Sequence, residues 1–308
     1  MNRTAFATPQ GPISVCHWND DAALAPSGEK PILHWAHANG FNGQTYDKLL
    51  APLADRLDIY GWDARGHGFT QLPANPREMT SWAIYARDLE AFISRLHGKS
   101  GQKIWLGGHS MGGCASLMLA AKRPDMVAGL ILTDPVIMPT RAVWLVPIVT
   151  ALRGKGHVLM EMAKRRRRHW PDVATIEKAY TGRGAFASWQ DGFLKDYLLG
   201  GVVPVDEDRP VDTPDNGQDN VMLACDPQWE AANFKGPQLN TVRFIKKLRV
   251  PVTLLMAETG STTRAGNAFD GLSVDKTISI IADSTHFVPM EFPELVRQAI
   301  LDRIKPAV

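Results

Sequence analysis

Cysteine is scarce: the 308 residues hold three, Cys16, Cys114 and Cys225, an odd number without paired spacing, which argues against a disulfide framework. No histidine ladder accompanies them to suggest zinc. Charge of one sign is also lacking, because 34 basic residues against 32 acidic ones leave a net +2. Composition therefore carries neither a nucleic-acid footprint nor an acidic solvated tail. Long apolar runs are missing too. The longest uncharged one, Ala142 to Leu152, is interrupted by Pro147 and falls well short of the roughly 20 residues a membrane-spanning helix needs. No continuous apolar run precedes Pro9 and Gly11, which predicts no secretory signal and a cytoplasmic location. There is no internal repeat and no low-complexity tract.

What is present is a chain with 44% hydrophobic residues, long enough for one large core. Short β-rich runs alternate with helix-period runs, the pattern of an α/β fold with a mostly parallel central sheet flanked by helices. Ile13 to Trp18, Ile32 to Ala36, Leu57 to Trp62, Ile104 to Gly107, Gly129 to Thr133, Val252 to Met256 and Thr277 to Ile281 read as strands, a sheet of at least seven. Their lack of strict alternation suits burial on both faces. Trp82, Tyr85, Leu89, Phe92 and Leu96 recur at helical spacing and read as a core face, with Thr80 or Ser81 as N-cap and Gly98 as the stop. Met111 to Arg123, ended by Pro124, and Pro293 to Ile304, with proline in its first turn, read as two further helices.

From about Pro135 to Asp226 no strand-like run recurs, and Trp144, Trp170, Trp189, Phe193 and Tyr197 punctuate helical and loop segments. This predicts residues 1–136 and 226–308 as the core, with 137–225 as an inserted helical cap. The five basic residues Lys164 to Arg168 read as the solvated face of a helix, ahead of an anionic-surface or nucleic-acid patch. Val205 to Gln218, rich in Asp and Pro, reads as a surface loop.

The chemistry concentrates in Ile104-Trp105-Leu106-Gly107-Gly108-His109-Ser110-Met111-Gly112-Gly113, where a strand runs through a G-x-S-x-G pattern into a helix. A serine at that sharp turn is held up at the carboxyl edge of the sheet, where the helix N-terminus favours developing negative charge. A serine hydroxyl is a weak nucleophile and needs a base. Among nine histidines, His286 stands apart, because it follows the last strand in Ala282-Asp283-Ser284-Thr285-His286-Phe287-Val288-Pro289 and so also lies at the carboxyl edge.

With these segments in hand, the chain resembles the α/β-hydrolases that carry a cap, over nearly its whole length. Supporting matches are His37-Ala38-Asn39-Gly40-Phe41 and Asp63-Ala64-Arg65-Gly66-His67-Gly68. The resemblance implies a catalytic Ser110 and His286, and an oxyanion hole built from the backbone N–H groups of Asn39 and Met111. His37, His67 and His109 read as supports for these loops, and Arg65 as structural. In most of the family an aspartate follows the strand at Val252 to Met256, but here the expected position holds Gly260, with Glu258 two residues early. Asp134, in Leu130-Ile131-Leu132-Thr133-Asp134-Pro135, occupies the place used by a minority that includes part of the haloalkane dehalogenases. That group is also resembled by Asp134 to Pro139 and Ala257 to Thr263. Asp134 is therefore preferred to Glu258 as the third member.

The dehalogenase reaction does not carry over, because Ser110 and Met111 stand where those enzymes have an aspartate nucleophile and a tryptophan. Epoxide hydrolysis needs a carboxylate nucleophile as well. The expectation is a serine hydrolase acting on a small or medium carboxylic ester through an acyl-enzyme. Phe41, Val136, Met138 and the aromatic residues of the cap would line an apolar pocket or simply fill the cap's own core. No metal or organic cofactor, nucleic acid or membrane partner is expected. Lactone, thioester, amide and carbon–carbon bond cleavage use related chemistry and stay open, as does a weakly catalytic ligand-binding receptor.

Overall fold

The computed structural model describes residues 1–19, 30–140, 158–205, 220–234 and 241–305. Its strands are β1 (Asn2–Thr8), β2 (Gly11–His17), β3 (Ile32–Ala36), β4 (Asp58–Trp62), β5 (Ile104–His109), β6 (Val127–Thr133), the short β7 (His169–Trp170), β8 (Val202–Pro204) and β9 (Val221–Leu223), then β10 (Val252–Ala257) and β11 (Lys276–Ile281). Eight of them form one sheet in the order β1-β2-β4-β3-β5-β6-β10-β11. The β1–β2 and β2–β4 pairs are antiparallel and all others parallel. The seven strands read from the sequence are all present. The eighth, β1, is a solvent-facing edge strand whose only buried side chain is Phe6, so it lacks the apolar density that marks the others.

β3 and β4 are buried along their whole length because helices cover both faces. On one face lies the helix Ala83–Ser100, with Trp82, Tyr85, Leu89, Phe92 and Leu96 all buried. Each such side chain contributes about 1.5–3 kcal/mol. The N-cap is Trp82, which makes no side-chain capping bond, and not the expected Thr80 or Ser81; Ser81 stands one residue earlier and its Oγ accepts the Ala83 N–H at 3.2 Å. The stop is Gly101 and not Gly98: Gly101 adopts φ +69° and returns its N–H to His97 O at 2.8 Å, while Gly98 stays helical in open space. Met111–Lys122 packs beside this helix, and Pro293–Arg303 covers the opposite face.

Successive strands leave β3 in opposite directions, β4 to one side and β5 to the other, which makes the carboxyl ends of β3 and β5 the topological switch point of the sheet. Both loops singled out in the sequence, after Ala36 and after His109, open there.

Between β6 and β10 the chain carries the helices Val158–Lys164, Val173–Tyr180, Phe193–Gly201 and Pro227–Ala232. It also carries a small antiparallel sheet in the order β7-β9-β8, which corrects the expectation that no strand recurs there. Strands of two or three residues are too short to show a period. The Ala142 to Leu152 stretch, Trp144 and residues 206–218 of the expected loop lie outside the described residues. Among the described residues no helix is long and apolar enough to cross a membrane.

Candidate active site

Ser110 joins β5 to the helix Met111–Lys122 with φ +54° and ψ −118°, a conformation that costs roughly 1–3 kcal/mol and persists only where packing enforces it. The enforcement is visible in the neighbouring glycines. A Cβ on Gly112 would sit 2.2 Å from Ala36 O, and one on Gly108 would sit 2.7 Å from Gly112 C. Backbone therefore touches backbone between β3, β5 and the helix. Ser110 N is anchored to Thr133 O at 3.1 Å, and the side chain is almost fully buried.

The loop after β11 brings in His286. Asp283 turns the chain with φ +58°, Ser284 Oγ donates to Ile281 O at 2.6 Å, and the buried Glu291 accepts from Thr285 N at 2.7 Å and from Thr285 Oγ1 at 2.5 Å. Glu291 also accepts from Ser188 Oγ at 2.5 Å, so this loop is tied to the inserted segment. His286 Nε2 lies 3.0 Å from Ser110 Oγ, and His286 Nδ1 lies 2.6 Å from Asp134 Oδ2. Since Nδ1 faces a carboxylate it carries the proton, which leaves the Nε2 lone pair to accept from the serine hydroxyl.

Asp134 follows β6 with φ +40° and is fully buried. Its Oδ1 accepts from Ala257 N at 3.1 Å and Ser261 Oγ at 2.5 Å, and its Oδ2 accepts from Thr262 N at 2.8 Å and Thr262 Oγ1 at 3.1 Å. Burial pushes the carboxyl up, but the His286 hydrogen bond and charge, with the Ser261 and Thr262 donors, outweigh it and hold Asp134 below its ordinary value. Glu258 is elsewhere: it is exposed, and its Oε2 accepts the Asp283 N–H at 2.8 Å. The structure thus brings Ser110, His286 and Asp134 together, and leaves Glu258 out.

Asn39 lies in the loop after β3, fixed by its side chain. Nδ2 donates to Glu230 O at 3.0 Å, and Oδ1 accepts from Asn233 Nδ2 at 3.0 Å. Met111 is the first residue of its helix, where backbone N–H groups have no intrahelical acceptor. Among the described residues, neither the Asn39 nor the Met111 backbone N–H is engaged.

The three other histidines near the serine are braces. His37 Nδ1 donates to Ala38 O at 2.7 Å and Nε2 accepts from Ala64 N at 2.8 Å, while His67 Nδ1 donates to Arg65 O at 2.9 Å and Nε2 accepts from Gly40 N at 3.0 Å. Burial lowers their pKa values to about 4 and about 3, so both stay neutral. His109 bonds Tyr46 and the His286 carbonyl. Arg65 holds Asp88 with two nitrogens at 2.9 Å, as a structural arginine does.

Phe41 is in ring contact with His109, Phe287 and, from the inserted segment, Trp189 and Tyr197. Val136 and Met138 are half-buried against the main core. The basic run departs from the solvated face expected of it, because the helix ends at Lys164. Arg166 turns inward onto Glu230 at 2.5 Å and Tyr197 OH at 2.8 Å, Arg167 stacks on Trp170, and Arg168 pairs with Asp226 at 2.6 Å. Glu291, Tyr46 and Asn233 are neighbours of the site that no sequence pattern marked, while Ser261 and Thr262 lie in the Ala257 to Thr263 segment, which does not single them out as partners of Asp134. Among the described residues no cluster of His, Cys, Asp or Glu could hold a metal ion.

Residues 29–180 match the family described as serine aminopeptidase, S33. The chain is similar to monoglyceride lipase of Rattus norvegicus, 32% identical over 117 residues that make up 37% of this chain and 38% of the relative. It is also similar to 2-(acetamidomethylene)succinate hydrolase of Mesorhizobium japonicum, 33% identical over 35% of this chain and 36% of the relative. The matched stretches thus span little more than a third of either relative. Among solved structures, E-2-(acetamidomethylene)succinate hydrolase superposes with a TM-score of 0.71 at 19% identity, covering 98% of both chains. The thioesterase domain from the curacin biosynthetic pathway superposes with a TM-score of 0.66 at 19% identity, over 98% of this chain and 99% of that one. A serine strained at the switch point of this strand order, on a chain that shares its sheet and flanking helices with these proteins, gives the chain the α/β-hydrolase fold.

Proposed function

We propose that the chain is a serine hydrolase that transfers the acyl group of a small or medium carboxylic ester to water through an acyl-enzyme. One observation carries this reading: Ser110 Oγ, His286 and Asp134 form one continuous hydrogen-bonded line, with contacts of 3.0 and 2.6 Å, ending at a strained serine. Ser110 attacks the ester carbonyl while His286 Nε2 takes its proton, and the same nitrogen returns that proton to the leaving alkoxide. Water then repeats the cycle on the acyl-enzyme. Asp134 fixes the His286 tautomer and stabilises the imidazolium. The free N–H groups of Asn39 and Met111 receive the oxyanion, where each donor is worth roughly 2.7–4 kcal/mol.

In this reading residues 137–225 are the cap, with Trp189 and Tyr197 packed on Phe41 beside the serine loop. An apolar acyl or aryl group suits that aromatic wall. The lipase and thioesterase among the relatives support acyl transfer as the reaction class.

The test is pre-steady-state hydrolysis of p-nitrophenyl esters of increasing acyl length by the native chain and Ser110→Ala. A burst of one nitrophenolate per protein, absent in the variant, is expected. Turnover that survives in Ser110→Ala would exclude the acyl-enzyme.

A further inference from the structure

A second line of hydrogen bonds runs behind the first, buried except at its His286 end, where the last bond is part-buried. Ala38 N donates to Tyr46 OH at 3.1 Å, Tyr46 OH meets His109 Nδ1 at 2.9 Å, and His109 Nε2 meets the His286 carbonyl at 2.7 Å. Tyr46 and His109 have no exposed surface, and Ala38 has almost none. Each proton in the line can be placed. A carbonyl oxygen only accepts, so His109 Nε2 carries the hydrogen. Burial first, and the neighbouring His286 second, lower the His109 pKa to about 3, so Nδ1 has a free lone pair and accepts from the tyrosine hydroxyl. The tyrosine oxygen in turn accepts from Ala38 N–H. The donors all point from the loop after β3 toward the histidine loop, and bonds aligned in this way polarise one another in a low dielectric.

The ends of this line are what give it a use. Ala38 is one peptide from Asn39, His109 is one peptide from Ser110, and the accepting carbonyl belongs to His286 itself. We propose that Tyr46 and His109 are positioning residues that set the oxyanion loop, the nucleophile and the base in register for acyl transfer. This rests on the serine-hydrolase reading above. Neither side chain hydrogen-bonds a reacting atom; their hydrogen bonds reach the site through the backbone of Ala38 and His286. The line also keeps a neutral ring beside His286, at 4.8 Å between centroids, where a second positive charge would oppose the imidazolium formed during attack.

The experiment is the rate of Ser110 phosphonylation by an alkyl fluorophosphonate, followed by intact-protein mass spectrometry across pH. The chains compared are native, Ser110→Ala, Tyr46→Phe, His109→Leu and His109→Gln. Tyr60→Phe, an equally buried tyrosine of β4, reports ordinary core damage. Because a misplacement near 1 Å costs about 100-fold, Tyr46→Phe and His109→Leu should lower the limiting inactivation rate about 10- to 100-fold with the reversible affinity unchanged. His109→Gln, which keeps a donor for the His286 carbonyl, should recover about ten-fold over His109→Leu. Tyr60→Phe should leave the rate intact whatever it does to melting temperature. If His109→Leu does not fold, Tyr46→Phe carries the comparison alone. Native labelling at Ser110 with the Tyr46 and His109 variants equally fast overturns the relay and leaves the acyl-transfer reading standing, as does an equal loss in Tyr60→Phe. A native chain that is not labelled at Ser110 overturns both.

Discussion

The carboxyl ends of β6 and β10 lie side by side in the sheet and each presents one acid, yet the surroundings of the two acids are opposite. Asp134, after β6, is fully buried among five hydrogen bonds. Glu258, after β10, is exposed and accepts from the Asp283 backbone. The difference originates in the β10 loop. Gly260 takes φ +64° with nothing near it, and the turn it makes sends Ser261 and Thr262 back over β6, where both donate to Asp134. Where the sequence resemblance predicts an acid, this loop supplies donors to an acid on the neighbouring strand. A buried carboxylate needs such donors to stay ionised, so the loop and the acid have to be read as one unit.

The sharpest way to break the comparison is to neutralise each acid in turn. Asp134→Asn should lower kcat on a p-nitrophenyl ester by about 10⁴-fold, the loss expected when the histidine adopts the wrong tautomer. Glu258→Gln keeps an acceptor for the Asp283 N–H and removes only an exposed charge, so it should change kcat less than about three-fold, in line with the small effects of exposed polar contacts. The reverse ranking would move the acid to β10.

A smaller effect tests the donors. Ser261→Ala removes a hydrogen bond to an ionised group, which contributes about 1.5–3 kcal/mol. Asp134 has a folded pKa below its unfolded value of about 3.9. Its stabilisation is therefore present above that pH and lost as pH falls through the lower folded value. Urea denaturation should show Ser261→Ala less stable than the parent at pH 7, with the gap closing in acid. A gap of equal size at both pH values would mean that Ser261 packs without supporting the charge.

Much of this was legible in the chain, and the part that was not has a common cause. Ser110 and His286 are announced locally, by a strand, a glycine-rich turn and a helix, and by the last strand and its loop. Nothing in the composition of the β10 loop says that Ser261 and Thr262 will turn back onto Asp134, because donor and acceptor are 127 and 128 residues apart. The same holds for Arg166, which reads as one more solvated cation until Glu230, 64 residues away, closes on it. Gly98 reads as the stop by sequence, yet the helix runs on to Gly101, whose backbone turns left-handed. Local signals place the reacting groups, while long-range polar partners set their charge and aim.

A third acid extends the contrast, since it is buried with one carboxylate oxygen left without a donor among the described residues. Asp196, on the inserted helix Phe193–Gly201, is nearly inaccessible, and its Oδ2 has no hydrogen-bond partner among the described residues. Burial, reinforced by Asp47 and only partly offset by the Lys48 charge, a Lys48 backbone hydrogen bond and the Lys195 charge, raises its pKa from 3.8 to about 6. A carboxyl raised in the folded state has the opposite linkage to Asp134. Its contribution is fully present below the unfolded value of about 3.9 and is lost as pH rises through about 6, when the fold must accommodate a poorly solvated charge. Asp196→Asn keeps the shape and removes that charge, so it should stabilise the protein by about 1–2 kcal/mol at pH 8, somewhat less than the full shift because the amide also wants partners. Below pH ~4 the gain should vanish, since the parent is then protonated as well. Urea midpoints of the two chains between pH 4 and 8 give the measurement, and a difference that does not vary with pH would mean that Asp196 is ionised and satisfied throughout, leaving donor supply unrelated to which buried acids carry charge.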